Sequence, residues 1–598
     1  MNKVPADMPG AEALAHLSSR KDFLRMAGAA GLGAALGSNI LLREALSQDT
    51  LVSNPLPTDL TFAIKERYRP FHLLAENFVQ LRDGFDTDTR RNYAILAPAP
   101  ESNRGNAFVQ RGALRINGDS YFALFKSTTS QKAPFATVIV DVQRFSDTTG
   151  AENTVFAGLV KDNSNYVTAF YNNATKKVGI SACVNGTVTT LGTVDATLAA
   201  PFRFAFVANE NEVTALVSDR ASGIGDFRPL IKRDVRIVTQ GALDLRDETV
   251  LATYKNGFGA RATEGAIVLG AVEAGYFGEA GVRDPHVVQY ADGTPYIENN
   301  KLYFTLTNAG LGFFEKAHWA VWTMDLSDYT KIEQVGNIFW HNAGDDTKVL
   351  GHHAGQIVRD EGRWIVLVSS WGDFGPQGGD GALKPGEVTP NPANPPVDIL
   401  YAELDDSIKL LEDVHILEGE RHPVNDIPFP TEGKWDPGLT RIDGRWYLSY
   451  VIALDLFTDF QPALARSASG ADDHTVLEFV GADWDKRATE GPIIQKLGGQ
   501  WRVLASCGDD EPVELHDKYP MYFLEASNPD AEAAARRLRF DGYLDAPHPT
   551  NIPHPMVVPI PLGADDTKYI LITFDGDQYY IDLLGYGTHG DFYVMEAT

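Results

Sequence analysis

Three acidic residues stand in related settings: Asp284 in "GVRDPHVVQY", Asp436 in "GKWDPGLTRIDGRWYLSY" and Glu490 in "TEGPIIQKLGGQWRVLAS". Asp284 and Asp436 each precede a proline, and Glu490 precedes Gly-Pro. Proline disfavours helical geometry in the residue before it, so both aspartates are expected in extended backbone with a set side-chain direction. Carboxyl groups brought close together resist simultaneous ionisation, so one of them keeps its proton. A protonated carboxyl facing an ionised one is the equipment of general acid–base chemistry. The chain carries no H-E-x-x-H, G-x-S-x-G or P-loop pattern that would direct the reading toward metal, serine or phosphate chemistry.

Such groups need elements that aim them at one place. In the second half of the chain one unit recurs: "YIENNKLYFTLT", "IVRDEGRWIVLVSS", "LTRIDGRWYLSYV", "IIQKLGGQWRVLAS" and "PLGADDTKYILITFD". Each joins an apolar strand, through a polar or glycine turn, to an aromatic and a second alternating strand. The aromatics are Tyr303, Trp364, Trp446, Trp501 and Tyr569. Five such units predict the five blades of a β-propeller, whose innermost strands face a common axis. The three acids then fall at equivalent inner positions. Before this region, short strands with Asn/Asp/Gly turns, such as "TVFAGLVKDNSNYVTAFYNN" and "KVGISACVNGTVTTLG", predict a β-sandwich of jelly-roll type. The expected fold class is all-β, with a β-sandwich over residues 49–278 followed by a five-bladed β-propeller over residues 279–598. The clearest helical segment is short, Asn528–Phe540.

The ordered set Asp-Pro, Asp-Pro, Glu-Gly-Pro resembles the five-bladed glycoside hydrolases of the family 43 and 62 clan, which act on arabinan, arabinoxylan and xylan. The likeness covers roughly residues 281–598 and is strongest in "RDPHV", "WDPGLTRIDGRWYLSY" and "EGPIIQKLGGQWRVLAS". It implies hydrolysis of an O-glycosyl bond with inversion. Asp284 would be the general base, Asp436 the carboxylate that orients the acid and raises its pKa, and Glu490 the general acid. An inverting pair stands about 6.5–9.5 Å apart to admit a water. Expected substrate contacts are Arg283, His286, His353, Trp371, Asp373, Trp435 and Arg487, with Trp435 stacking on a sugar ring. The reaction requires no cofactor, and the axis near His554 is the expected place of a structural calcium ion. The first half resembles the concanavalin-like lectin and laminin-G sandwich by pattern alone.

Two other readings stay open. A fructan-cleaving propeller enzyme is retaining and uses an Asp nucleophile in an Asn-Asp-Pro setting, whereas Val282-Arg283-Asp284-Pro285 lacks the Asn. A noncatalytic glycan-binding surface protein would have no need of all three acids.

Composition narrows the partners. A formal net charge of −28 over 598 residues argues against a nucleic-acid backbone or an anionic membrane surface, and a polysaccharide or oligosaccharide is compatible with it. Cys183 and Cys507 offer no metal or redox spacing. Residues 1–48 contain Arg20-Lys21, a mildly apolar Ala/Gly/Leu run and Ala45-Leu46-Ser47. They resemble a twin-arginine export signal with Lys21 in place of the second arginine, which implies a periplasmic or extracellular product with no membrane span after cleavage. The insertion "GPQGGDGALKPGEVTPNPANPPVD" would shape the groove, as an exo-type pocket or an extended cleft. The sequence does not set the oligomeric state.

Overall fold

The computed structural model describes residues 60–598 apart from internal stretches, of which 374–396, 507–517, 525–536 and 577–589 are the longest. The leader, the long insertion after Trp371, Cys507 and most of the segment Asn528–Phe540 lie outside the described residues. Nearly all regular structure is β, and the sheets adopt a propeller-like arrangement.

Two large sheets come first. One has eight strands, among them Phe135–Phe145, Phe202–Asn209 and Ala266–Tyr276. The other has seven, among them Thr154–Asp162 and Asn165–Asn172. Side chains alternate between faces along a strand. Val138, Val140 and Val142 therefore point one way and meet Val155, Ala157 and Leu159 of the other sheet in a single core. Ile139 points the other way and joins a different cluster.

Five further sheets, of four to seven strands each, complete the chain. Each contains an antiparallel pair whose first strand faces its counterparts and whose second strand follows it: Val282–Val287 with Lys301–Asn308, His353–Asp360 with Arg363–Ser369, Gly433–Ile442 with Arg445–Asp455, Ile493–Leu497 with Gln500–Leu504, and Met556–Pro561 with Thr567–Phe574. The first strands pack on one another in chain order. Between the fourth and fifth, the Gln495 amide donates to Pro555 O at 2.7 Å and accepts from Val557 N–H at 2.6 Å. The fifth returns to the first, where Met556–Pro561 meets Val282–Val287. Tyr303, Trp364, Trp446, Trp501 and Tyr569 each occupy the second or third residue of a second strand.

One strand is not where the sequence reading puts it. Phe62–Tyr68, expected in the N-terminal unit, pairs antiparallel with Phe592–Ala597 and completes the last of these five sheets. Phe62 packs there with Val557, Leu571 and Met595. Pairing the two ends of the chain covers an edge that would otherwise present unpaired backbone groups.

The outer face of the eight-stranded sheet packs on the first of the five through Phe135, Ile139 and Val207 against Leu311, Phe339 and Val349. Buried Lys316 lies in this seam, 3.3 Å from Glu210 and 3.8 Å from Glu315. Among the described residues no helix is long and apolar enough to cross a membrane.

Candidate active site

Asp284, Ala354, Asp436 and Gly491 take the same backbone conformation at the start of the first four inner strands, with φ of 53, 54, 53 and 59°. Left-handed backbone is uncommon outside glycine, with aspartate among the enriched exceptions, and costs on the order of 1–3 kcal/mol. Strand register slips at three of these places, between Arg283 and His286, His353 and Gly355, and Trp435 and Gly438. The extra residue forms a bulge that takes its side chain out of the strand's alternation. The extended backbone expected before Pro285 and Pro437 is therefore not adopted. Neighbouring sheets hold the bulged peptides: Asp436 N–H donates to Ser369 Oγ at 2.9 Å and Ala354 N–H to Thr307 Oγ1 at 3.1 Å.

The same alignment corrects the position of Glu490. It stands one residue earlier than the two aspartates, level with Arg283, His353 and Trp435, and Gly491 takes the left-handed place. A Cβ on Gly491 would lie 2.3 Å from His554 Cγ. The Glu-Gly-Pro turn thus needs glycine for its φ and for the close approach of His554.

His554 Nε2 lies 3.7 Å from Asp284 Oδ1 and 3.4 Å from Asp436 Oδ2, and all three line one small axial cavity together with His286. Asp436 Oδ2 accepts the Gly491 N–H at 3.1 Å. Glu490 Oε2 accepts the Trp435 indole N–H at 2.9 Å, and the Glu490 N–H donates to Ser506 Oγ at 2.8 Å. Arg283 Nε is 3.4 Å from Asp284 Oδ2. The Arg283 Nη2 donates to His353 Nε2 at 3.1 Å, and His353 Nδ1 donates to Gly351 O at 2.9 Å. This relay sets the His353 tautomer and the plane of the guanidinium.

Burial raises Asp436 well above the ordinary carboxylate range, and the charges of Glu490 and Asp284 push it further. Glu490 is raised as well, by burial first; the Trp435 hydrogen bond pulls it back and Asp284 adds to the rise. Two such groups titrate as a pair and share a proton. Burial lowers His554 and His353 and brings His286 down to about 4, so these rings are neutral near pH 7. One arginine therefore faces three carboxyl groups, and the retained proton offsets part of the excess negative charge.

The remaining expected contacts divide into two groups. Trp435 is only 2% exposed, so it offers no face to a sugar; its indole positions Glu490 instead. Its ring centroid lies 5.3 Å from that of Trp371, which is half-buried and nearer solvent. His353 is buried behind Arg283 and positions it. His286 is buried, with Nδ1 at 3.3 Å from Val287 O and no partner for Nε2 among the described residues. Arg487 is exposed on the segment leading to Glu490. The side chain of Asp373 lies outside the described residues. Sequence reasoning missed Ser369 and Ser506, whose hydroxyls accept the N–H groups of Asp436 and Glu490. Their signal was the shared offset from Trp364 and Trp501.

The axial donors do not fit a calcium ion. Calcium takes roughly six to eight oxygen ligands, whereas the cavity offers two imidazoles and two aspartates. Among the described residues no group of three or more His, Cys, Asp or Glu has a metal-holding arrangement.

No family model matches the chain, and no curated protein matches it. Among solved structures, it is similar to the GH43_1 enzyme from Xanthomonas citri at 15% identity, covering 52% of this chain and 88% of that one, with a TM-score of 0.30. The Bombyx mori GH32 β-fructofuranosidase BmSUC1 matches at 14% identity over 53% of this chain and 60% of its own, with a TM-score of 0.32. The GH43 protein BlXynB from Bacillus licheniformis matches at 15% identity over 33% and 39%, with a TM-score of 0.25. The match spans less than two thirds of the Bombyx and Bacillus chains. At these identities the likeness concerns fold alone.

Proposed function

We propose that this chain is an exported glycoside hydrolase that cleaves furanoside- or xylose-containing polysaccharide of the arabinan or arabinoxylan type with inversion. The observation that carries the proposal is the convergence of Asp284 and Asp436 on His554, with Glu490 beside them, where burial and mutual repulsion retain a proton. On this reading Glu490 gives its proton to the leaving oxygen, and Asp284 takes one from the water that attacks the opposite face of the sugar. Burial first, and then the charge of Asp284, keep the proton on Glu490 until it is needed, and Asp436 is coupled to it in the same titration. As Glu490 becomes ionised, the Trp435 indole N–H strengthens its hold, so that bond favours the transition state over the ground state. Arg283 balances Asp284, and Trp371 replaces Trp435 as the aromatic platform. On this reading the five sheets that follow Val282 are the blades of one propeller of the family 43 and 62 clan, and the two sheets before them form a concanavalin-like sandwich. Residues 1–48 would direct the protein to the periplasm or beyond, and no cofactor takes part.

The test is sugar release by the purified mature protein from arabinan, arabinoxylan, xylan, arabinogalactan and fructan, with Glu490→Gln run beside it. Release from a pentose polymer that falls about a hundredfold or more in the variant supports the proposal. Release that survives the substitution removes Glu490 from its role. Release confined to fructan, with retained anomeric configuration, would replace the reading with a fructan-cleaving one. Silence from both proteins favours a glycan-binding protein.

A further inference from the structure

A cleft of about 410 Å³ opens on the outer face of the eight-stranded sheet, walled on one side by residues 71–76 and separate from the axial cavity. This is the size range of small-ligand sites. Strand register accounts for its floor. Arg82 stands opposite Glu273, Glu273 opposite Ile139, Ala271 opposite Asp141, and Asp141 opposite Arg203. These are outward positions on four neighbouring strands. Toward the seam the same face is apolar and covered, through Ile139 and Val207. Where the cover ends, the face carries charges that are held in place.

The charges are ordered rather than loosely solvated. Arg203 Nη2 lies 2.5 Å from Glu273 Oε2, Arg82 Nη2 lies 2.5 Å from Glu76 Oε2, and Arg82 Nε lies 3.8 Å from Glu273 Oε1. The Arg203 guanidinium sits 5.2 Å from the centroid of the Phe227 ring, which holds its plane. Arg82 and Glu76 remain about half exposed or more, at 51% and 74%, so their outer donors and acceptors face a visitor. Phe71 and Leu74 supply apolar wall.

This lining selects a class of ligand. An anion meets Glu76, Asp141 and Glu273 against two guanidinium groups and the His72 ring, which Glu279 already pairs, and a cation must displace both arginines. An apolar ligand would strip water from charges without replacing its hydrogen bonds. A neutral polyhydroxyl compound uses carboxylate acceptors and guanidinium donors together and lays its C–H faces on Phe71. We infer that this cleft is a second, noncatalytic binding site for a neutral oligosaccharide. The inference does not require the axial site to be catalytic.

The experiment is calorimetric titration of the mature Glu490→Gln protein with xylohexaose, arabinohexaose and an inulin-type hexasaccharide, repeated with Arg203→Gln or Arg82→Ala added. The expected result is a binding component for at least one probe that each added substitution weakens at least tenfold. Arg82 is half exposed, so Arg82→Ala keeps the test valid if Arg203→Gln misfolds. Binding unchanged by both substitutions, or no binding of any probe, overturns the inference. Hydrolysis by the protein with Glu490 intact is measured separately. Hydrolysis without this component sinks the cleft alone, and this component without hydrolysis sinks the catalytic reading alone.

Discussion

Two clusters of buried charge in this molecule are built on opposite principles. In the seam, burial works against the Lys316 ammonium, and Glu210 and Glu315 more than offset it, so Lys316 is held above its ordinary value. Arg246 is buried nearby and reaches Asp244 at 3.0 Å. Each of these carboxylates lies against a cation, Lys316 or Arg246, although burial still brings Glu210 up to about 7 and raises Glu315, and Lys316 and Glu210 are sealed from solvent. On the axis, Asp284, Asp436 and Glu490 share Arg283, and the Asp284 and Asp436 side chains keep a solvent edge of 11% and 8%. A matched cluster fastens two bodies together; an unmatched one that opens to solvent costs folding free energy and is where a transferable proton is kept.

The most forceful way to break this comparison is Glu210→Gln. Removing one partner of a buried ion pair typically costs about 3–5 kcal/mol. The urea midpoint should fall accordingly while sugar release per folded molecule is unchanged. An unchanged midpoint would mean that the seam does not depend on its charge balance.

Glu490→Gln is the matching change on the axis and should do the reverse, costing about a hundredfold in activity with no loss of stability. Its effect on stability follows from the direction of the shift. Glu490 is raised in the folded state, so the folded protein holds a proton that the unfolded chain releases above its ordinary carboxylate value. That contribution is fully present below the unfolded value and is lost as pH rises through the folded one. The variant should therefore unfold later than the native protein at about pH 8, and the gap should close at about pH 4. Equal midpoints at both pH values would show that the axial carboxyls are not strained by their surroundings.

The smallest effect sharpens the picture of the acid itself. Trp435→Phe removes the N–H that favours ionised Glu490, so Glu490 should move still higher. The high-pH limb of kcat/KM should shift upward by about one pH unit, the equivalent of a charge-assisted hydrogen bond of about 1.5 kcal/mol. A limb that stays in place would mean that the Trp435 indole does not hold the ionised form of Glu490, leaving burial and Asp284 to set its shift.

Some of this could be read along the chain and some could not. Period-two alternation and glycine turns are local, and the five aromatic-bearing hairpins stand out in the sequence; each aromatic lies on a second strand. Asp284, Asp436 and Glu490 were marked by the proline or Gly-Pro that follows them. The backbone at Asp436 is nevertheless not the extended one that the following proline favours, because a bulge held by Ser369 in the preceding sheet outweighs a dipeptide preference. Trp435 and His353 resemble ligand contacts along the chain, since nothing adjacent in sequence reveals that Glu490 and Arg283 occupy their polar atoms. The place of Phe62–Tyr68 was hidden because its partner strand is at the other end of the chain.

The sequence by itself determined the β character, the hairpin units and the residue types that could exchange a proton, because each depends on neighbours a few positions away. The tertiary structure alone decided which of those residues meet, which are buried and which way their protonation shifts. Desolvation and Coulomb repulsion act through space, and two of the groups responsible, Asp284 and Glu490, stand more than two hundred residues apart in the chain.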